Sequence, residues 1–373
     1  MTGKMPVMQK DAVPLDQIRR ALIIKLRHHG DVLLSAPVAT ALQAHAPQAR
    51  IDALVYAETA EMLTGHPALD EVFVIDPAWK KRGALGRLGA EWGLAQQLKA
   101  RGYDLVIHLT EDWRGAWLTR LLAPRWSVAP GIGGRGRLWK NSFTHFYAGP
   151  RGNPRHTVES NLDALRRLGL QPTPEERRVR LVPGREAEAK VILALRDKGL
   201  EVGRYIHIHA PSRWTFKCWT AEGWAAVIRQ LAQDGWPAVL TAAPGEKEAR
   251  IVEAILERSD GHGISFAGQL SLKELAALSA RAKLFLGVDS APMHIAAAMD
   301  TPVVALFGPS GERHWGPWPN GLPAEPPHRV VASDRHSCRP CGIDGCGGSK
   351  IADCLVQLPA ARVIEAARAL LAR

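Results

Sequence analysis

No stretch of this chain approaches the ~18 consecutive apolar residues that a membrane span requires. The early apolar run at residues 21–26 is too short, and too broken by Lys25, for a secretory signal peptide, so the expected compartment is the cytoplasm. Disorder is not suggested either, because 46% hydrophobic and 23% charged residues are ordinary for a globular protein. Cysteine is scarce, five in 373 residues, yet Cys338, Cys341, Cys346 and Cys354 crowd into the spacing C-x2-C-x4-C-x7-C. A cytoplasmic setting argues against stable disulfides, and the later spacings depart from the paired C-x-x-C pattern of zinc sites. The reading therefore favours reduced packing thiols and keeps a structural zinc as the alternative.

What the chain has is positive charge, unevenly spread. The formal net charge is +11, of which +9 falls in residues 1–180 and +2 in the remainder. An excess confined to one half suggests an acidic partner there, whether phosphorylated glycolipid, membrane surface or nucleic acid. Simple solubility explains it equally well. The length admits two domains with full cores.

Short apolar runs at residues 21–26, 50–55, 71–75 and 104–109 are separated by several helical stretches, the alternation expected of a parallel sheet. A second set at 205–209, 237–242, 263–266, 284–288 and 302–307 alternates with helices at 221–234, 246–258 and 272–280. The pattern predicts an α/β chain with two Rossmann-like sheets in tandem. Between them lie an amphipathic helix at 158–168 and the polar, proline-bearing QPTPEERRVRLVP. The expected domains are 1–175 and 185–355, followed by a C-terminal helix, 356–373, free to pack back on the first domain.

The stretch LFLGVDSAPMHIAAAMDTPVVALFGPS, residues 284–310, reads as strand, polar loop, helix and strand, a nucleotide-binding layout. Asp289 and Ser290 can cap a helix starting near Pro292, and the unpaired N–H groups of such a start attract phosphate. In the first half, the strand at 21–26 runs into Lys25, Leu26, Arg27, His28, His29, Gly30 and Asp31, then a helix, which places Asp31 at a loop-to-helix junction. Asp31 is either a plain helix cap or a general base, and the cations crowded around one acid favour the base. The loop HAPSRWTFKCW, residues 209–219, offers Ser212, Arg213 and Lys217 to a phosphate or sugar. In AAPGEKE, residues 242–248, Glu246 or Glu248 can accept hydrogen bonds from a ribose diol, or simply favour a helix start. GIGGRG, residues 131–136, matches G-x-G-x-x-G formally, but lacks a convincing preceding strand and reads better as a flexible basic loop.

These four segments together resemble the ADP-heptose:lipopolysaccharide heptosyltransferases, glycosyltransferase family 9, over nearly the whole chain. KLRHHGDVLLSAP is similar to the family's opening pattern, GVDSAPMHIAAAMDTPVVALFGPS to its phosphate segment. SRWTFKCW and CRPCGIDGCGGSKIADCL look nearest to the heptosyltransferase III branch. The resemblance implies GT-B architecture, two Rossmann-like domains facing each other across a cleft. It implies inverting transfer of heptose from ADP-heptose to a phosphorylated lipopolysaccharide core acceptor at the inner membrane face, with no nucleic acid partner. By the same resemblance Asp31 is the catalytic base and Lys217 the donor-phosphate lysine. Ser212, Arg213, Glu246, Asp289, Ser290, Ala291, Pro292, Met293 and His294 hold ADP, with Glu248 aligning almost as well as Glu246. Arg27, His28, Arg135, Arg137 and Lys140 are expected to meet the acceptor; Trp79, Lys80, Lys81 and Arg82 form one basic aromatic cluster of the first half and Arg135, Arg137, Trp139 and Lys140 another. No D-x-D acid pair occurs in the chain, so no metal cofactor is expected. The competing readings are a GT-B transferase using another nucleotide sugar and a non-catalytic binder of acidic glycolipid. A binder of anions would gain nothing from Asp31.

Overall fold

A computed structural model of the chain describes residues 11–149, 155–320 and 327–373. It divides into two compact units, residues 1–180 and 181–373.

The first unit is built on six strands, β1 Arg20–Ile24, β2 Arg50–Tyr56, β3 Glu71–Ile75, β4 Leu105–His108, β5 Trp126–Gly131 and β6 His145–Ala148. Its helices are α1 His29–Leu33, α2 Ala36–His45, α3 Gly83–Arg101, α4 Trp113–Leu122, α5 Arg137–Lys140 and α6 Thr157–Arg167. All pairings are parallel, in the order β3-β2-β1-β4-β5-β6. The inner strands are near-continuous apolar runs because helices cover both faces of a parallel sheet. Leu22, Ile24, Leu54, Leu98 and Val106 meet in one core.

The second unit repeats the plan with β7 Ile206–His209, β8 Ala238–Leu240, β9 Ile264–Ser265, β10 Leu284–Val288, β11 Val303–Phe307 and β12 His328–Ala332. Its helices are α7 Arg185–Asp197, α8 Ala221–Gln233, α9 Glu246–Glu257, α10 Leu272–Ser279, α11 Ala291–Ala298, α12 Glu312–Trp315, α13 Asp353–Val356 and α14 Ala360–Leu371. The order β12-β11-β10-β7-β8-β9 is the first unit's order read from the opposite edge. Each sheet therefore reverses direction once, between β1 and β4 and between β7 and β10. In doubly wound folds ligands bind outside the carboxyl ends of the strands at that reversal.

Two segments show more than their sequence suggested. Within the second unit α14 packs on α8 and β12, and Val363, Ala367 and Leu370 sit in that unit's core. Its apolar stripe is satisfied there. Secondly, a strand does precede GIGGRG. β5 runs up to Gly131, its alternation hidden because Pro130 and Gly131 read as breakers yet pair with Tyr147 and Ala148 near the sheet edge. The sequence also passed over β6 and β12, short outer strands with mixed burial.

Candidate active site

In the second unit the reversal point is occupied by two loops, one leaving β7 and one leaving β10. The first carries Ser212 and Arg213, then a 3-10 turn Thr215–Lys217 whose Phe216 is buried and so anchors the lysine stem. The second carries Asp289. Lys217 Nζ donates to Asp289 Oδ2 at 2.6 Å, and the Asp289 side chain is only 6% exposed. Two residues 72 positions apart, assigned separate tasks from the sequence, thus form one charged pair.

Ser290 stands at the N-cap of α11 but makes no side-chain cap bond, contrary to the capping expected of Asp289 and Ser290. The carboxylate of Asp289 is engaged by Lys217, and Ser290 Oγ donates back to Val288 O at 3.4 Å. The first turn, Ala291, Pro292, Met293 and His294, therefore begins without a side-chain acceptor, with Pro292 pre-set to helical φ. An uncapped N-terminus keeps its donors and positive dipole end for an anion.

Behind the loops, β7 contributes two buried histidines. His207 Nε2 and His209 Nδ1 lie 2.8 and 2.9 Å from Thr241 Oγ1, and His207 Nδ1 is 3.0 Å from Ser279 Oγ. Burial drives His207 well below its ordinary range and His209 to about 3, so both rings are neutral and act as rigid polar ballast under the loop. Ser212 is also buried, its Oγ accepting from Trp214 N at 3.3 Å, while Arg213 lies over the Trp214 ring. At the start of α9 the two acids separate. Glu248 folds back to accept from Ala243 N at 2.9 Å, whereas Glu246 stays exposed and pairs with Arg250 one turn on.

In the first unit the reversal point lies between β1 and β4, and there the sequence reading of Lys25 was incomplete. Lys25 is buried, its ammonium donating to Leu109 O at 3.1 Å and to Asn161 Oδ1 at 3.0 Å. Burial pulls its pKa from 10.5 to about 8, while the charge of Asp31 holds it up. Asp31 sits in the first turn of α1, half-buried, with exposed Arg27 and His28 before it. The missed signal was a lysine inside a β-strand run, which has nowhere to go but the core or the strand's end. Asn161, on the buried face of α6, had no local signal at all.

The basic loop after β5 is tied to its surroundings by side-chain contacts. Arg135 donates to Glu111 O at 2.8 Å and its guanidinium lies about 5 Å from the Trp113 and Trp139 rings. Trp139 is buried against His108 and Phe143, which pins α5 and leaves Arg137 and Lys140 exposed beside it. Cys338 and Cys341 are exposed, Cys346 is half-buried and Cys354 lies in the second unit's core. Among the described residues no group of three His, Cys, Asp or Glu side chains is set to hold a metal.

Comparison with known proteins bears on this arrangement. The model of glycosyltransferase family 9 (heptosyltransferase) matches residues 92–339. Lipopolysaccharide heptosyltransferase 3 of Escherichia coli is 35% identical over 299 residues, 80% of this chain and 86% of that protein. Lipopolysaccharide heptosyltransferase 1 of Pseudomonas aeruginosa is 27% identical, covering 86% of each. Among solved structures, a family 9 glycosyl transferase from Veillonella parvula superposes with TM-score 0.81 at 23% identity, covering 97% of this chain and 99% of that one. E. coli heptosyltransferase WaaC with ADP gives 0.71 at 21% identity, over 94% and 99%. The two parallel sheets and these neighbours give the GT-B architecture. The chain belongs to glycosyltransferase family 9, the heptosyltransferases, and is a glycosyltransferase.

Proposed function

We propose that the protein moves a heptose from ADP-L-glycero-D-manno-heptose to a heptose of the lipopolysaccharide inner core, inverting the anomeric centre without a metal. The observation that carries this reading is the Lys217–Asp289 pair at the reversal point of the second sheet, beside the uncapped start of α11. The printed names of the relatives agree: the 35% identical protein is a lipopolysaccharide heptosyltransferase 3, and two solved neighbours hold ADP and ADP-2-deoxy-2-fluoro heptose.

On this reading the diphosphate of the donor lies at the start of α11, with Ser290 to His294 around it and Lys217 reaching the phosphate. Charge grows on the leaving diphosphate as the glycosidic bond breaks, and a preorganised cation with helix N–H groups stabilises that change. Asp289 holds the ammonium in place before the donor arrives. Glu246, exposed and paired with Arg250 one turn on, takes the ribose diol. Ser212 and Arg213 complete the loop. Asp31 removes the proton of an acceptor hydroxyl as its oxygen attacks the anomeric carbon from the face opposite ADP, and one displacement inverts the centre. Lys25 fixes the field around Asp31 from below.

The acceptor is a phosphorylated core on a lipid, and the enzyme works from the inner membrane face. Support comes from the +9 charge of the first 180 residues, with Arg27, His28, Arg137 and Lys140 exposed. The exposed Leu85, Leu88 and Trp92 share one face of α3, and no helix of the described residues is long and apolar enough to cross a membrane.

A transfer assay with ADP-heptose, other nucleotide sugars and truncated core acceptors tests donor, acceptor and reaction class together. Asp31→Asn is expected to keep ADP affinity and to lower turnover ~10²–10⁴-fold. Retained turnover in that variant rejects the base, and transfer only from another nucleotide sugar rejects the donor.

A further inference from the structure

The first unit carries a hollow of about 560 Å³ that none of the residues discussed so far lines, apart from Trp79 and Lys80. It opens at the carboxyl ends of the strands: Tyr56 closes β2, Ile75 closes β3, and Arg114 comes from the first turn of α4 beyond β4. The volume lies within the range of small-ligand sites. Trp79 and Tyr56, both half-buried against the core of the first unit, supply aromatic surface.

Its lining includes a three-residue bridge. Glu91 Oε1 accepts from Arg87 Nε at 3.0 Å and from Arg114 at 3.1 Å, so one carboxylate oxygen ties α3 to α4. Each guanidinium keeps further N–H donors, and the second oxygen of Glu91 keeps its lone pairs. Planar donor forks beside a carboxylate, with an aromatic surface near them, are suited to vicinal hydroxyls and the C–H face of a sugar ring.

The charge of the lining decides which sugar. Four carboxylates, Glu58, Asp76, Glu91 and Asp112, stand against the three cations Lys80, Arg87 and Arg114. This is a mildly acidic hollow in a unit that is otherwise strongly basic. Asp76 and Asp112 are committed to capping, accepting from Ala78 N at 2.8 Å and Gly115 N at 2.9 Å, so their carboxyl groups are held in place and cannot be turned away from an incoming anion. A phosphate placed on the two arginines would lie against Glu91. A neutral ring meets no such repulsion.

Its position ties the hollow to the reaction. His29 Nε2 lies 2.8 Å from the backbone oxygen of Glu58, so the lining is hydrogen-bonded to the short helix that bears Asp31 two residues later. We propose that this hollow is a subsite for an unphosphorylated, polyhydroxylated sugar ring of the acceptor, held by Trp79 and the Arg87–Glu91–Arg114 bridge. The proposal rests on the acceptor reading given above and adds a selection: the basic surface outside addresses the phosphates, and the hollow admits a ring without one.

Two measurements test it. In steady-state kinetics Trp79→Ala raises KM for a delipidated core acceptor about tenfold and leaves KM for ADP-heptose within about twofold, with Trp79→Phe restoring most of the loss. In equilibrium binding by calorimetry, a heptose disaccharide binds the wild type about tenfold or more tightly than the same disaccharide bearing a ring phosphate, and Glu91→Gln narrows that preference. An unchanged acceptor KM in a folded Trp79→Ala protein overturns the subsite, as does equal binding of the two disaccharides. A wild type that transfers no heptose instead overturns the assigned reaction, and the binding arm still decides the subsite.

Discussion

Raising the pH from 7.5 to 9.5 should stabilise the first unit through Lys25. In the native state its ammonium is buried and titrates at about 8, whereas the unfolded chain restores the ordinary 10.5. Between those values the unfolded state binds more protons, so the free energy of unfolding rises with pH. Below about pH 8 the lysine is charged in both states and the full cost of burying it is felt; above about 10.5 it is neutral in both and that cost is gone. Over the two-unit interval the linkage amounts to roughly 2 kcal/mol. The window lies below the unfolded tyrosine range, which matters because buried Tyr103, Tyr147 and Tyr205 are all raised and lose stability only above about pH 10. Urea unfolding of the wild type and Lys25→Met, followed by circular dichroism at both pH values, isolates the lysine: the wild type should gain about 2 kcal/mol more than the variant. Parallel pH profiles for the two proteins would refute the claim that Lys25 is a buried charge.

Gly115 lies so close to His108 that an added Cβ would fall 2.1 Å from the ring's Cε1, so Gly115→Ala should destabilise the first unit by at least ~1–3 kcal/mol, read as a lowered urea midpoint. Lys217→Met removes the cation proposed to meet the diphosphate and leaves Asp289 buried without it; ADP binding measured by calorimetry should weaken ~10–100-fold, and an unchanged Kd would remove Lys217 from the donor site. Replacing Leu85 and Trp92 together by Ser should reduce flotation with vesicles containing anionic lipid, and binding by the wild type should fall with added salt; equal flotation of variant and wild type would dissociate the α3 face from the membrane.

Both units place a buried or partly buried lysine at the point where their sheets reverse. Lys217 is matched by a carboxylate, and Lys25 by a carbonyl, an amide oxygen and the nearby charge of Asp31. The difference has a chemical sense. On the proposed mechanism a cation paired to Asp289 is lent to an incoming phosphate, whereas Lys25, held by Leu109 and Asn161, only shapes the field around Asp31.

Apolar runs located nine of the twelve strands among the described residues, most clearly inner ones, because an inner parallel strand is apolar on both faces and so stands out as a run such as LFLGV or VVALF. The loop after β10 was legible for the same reason: its polar residues interrupt two such runs. Local chemistry also made Asp31 and Lys217 candidates. The inner strand β5 escaped because Pro130 and Gly131 read as breakers, and the edge strands β6 and β12 because each is short and only partly buried.

What the linear order could not contain is contact across distance. That Lys217 meets Asp289, that Lys25 turns inward onto Asn161, and that Glu91 joins Arg87 to Arg114 depend on which strand ends the sheet order brings side by side. Residue pattern fixes how each segment is buried, through a local repeat of about 2 or 3.6 residues. Charge pairing and the hollow at the strand ends arise from segments 23 to 136 positions apart, and only packing of the finished sheets puts those groups within hydrogen-bond reach.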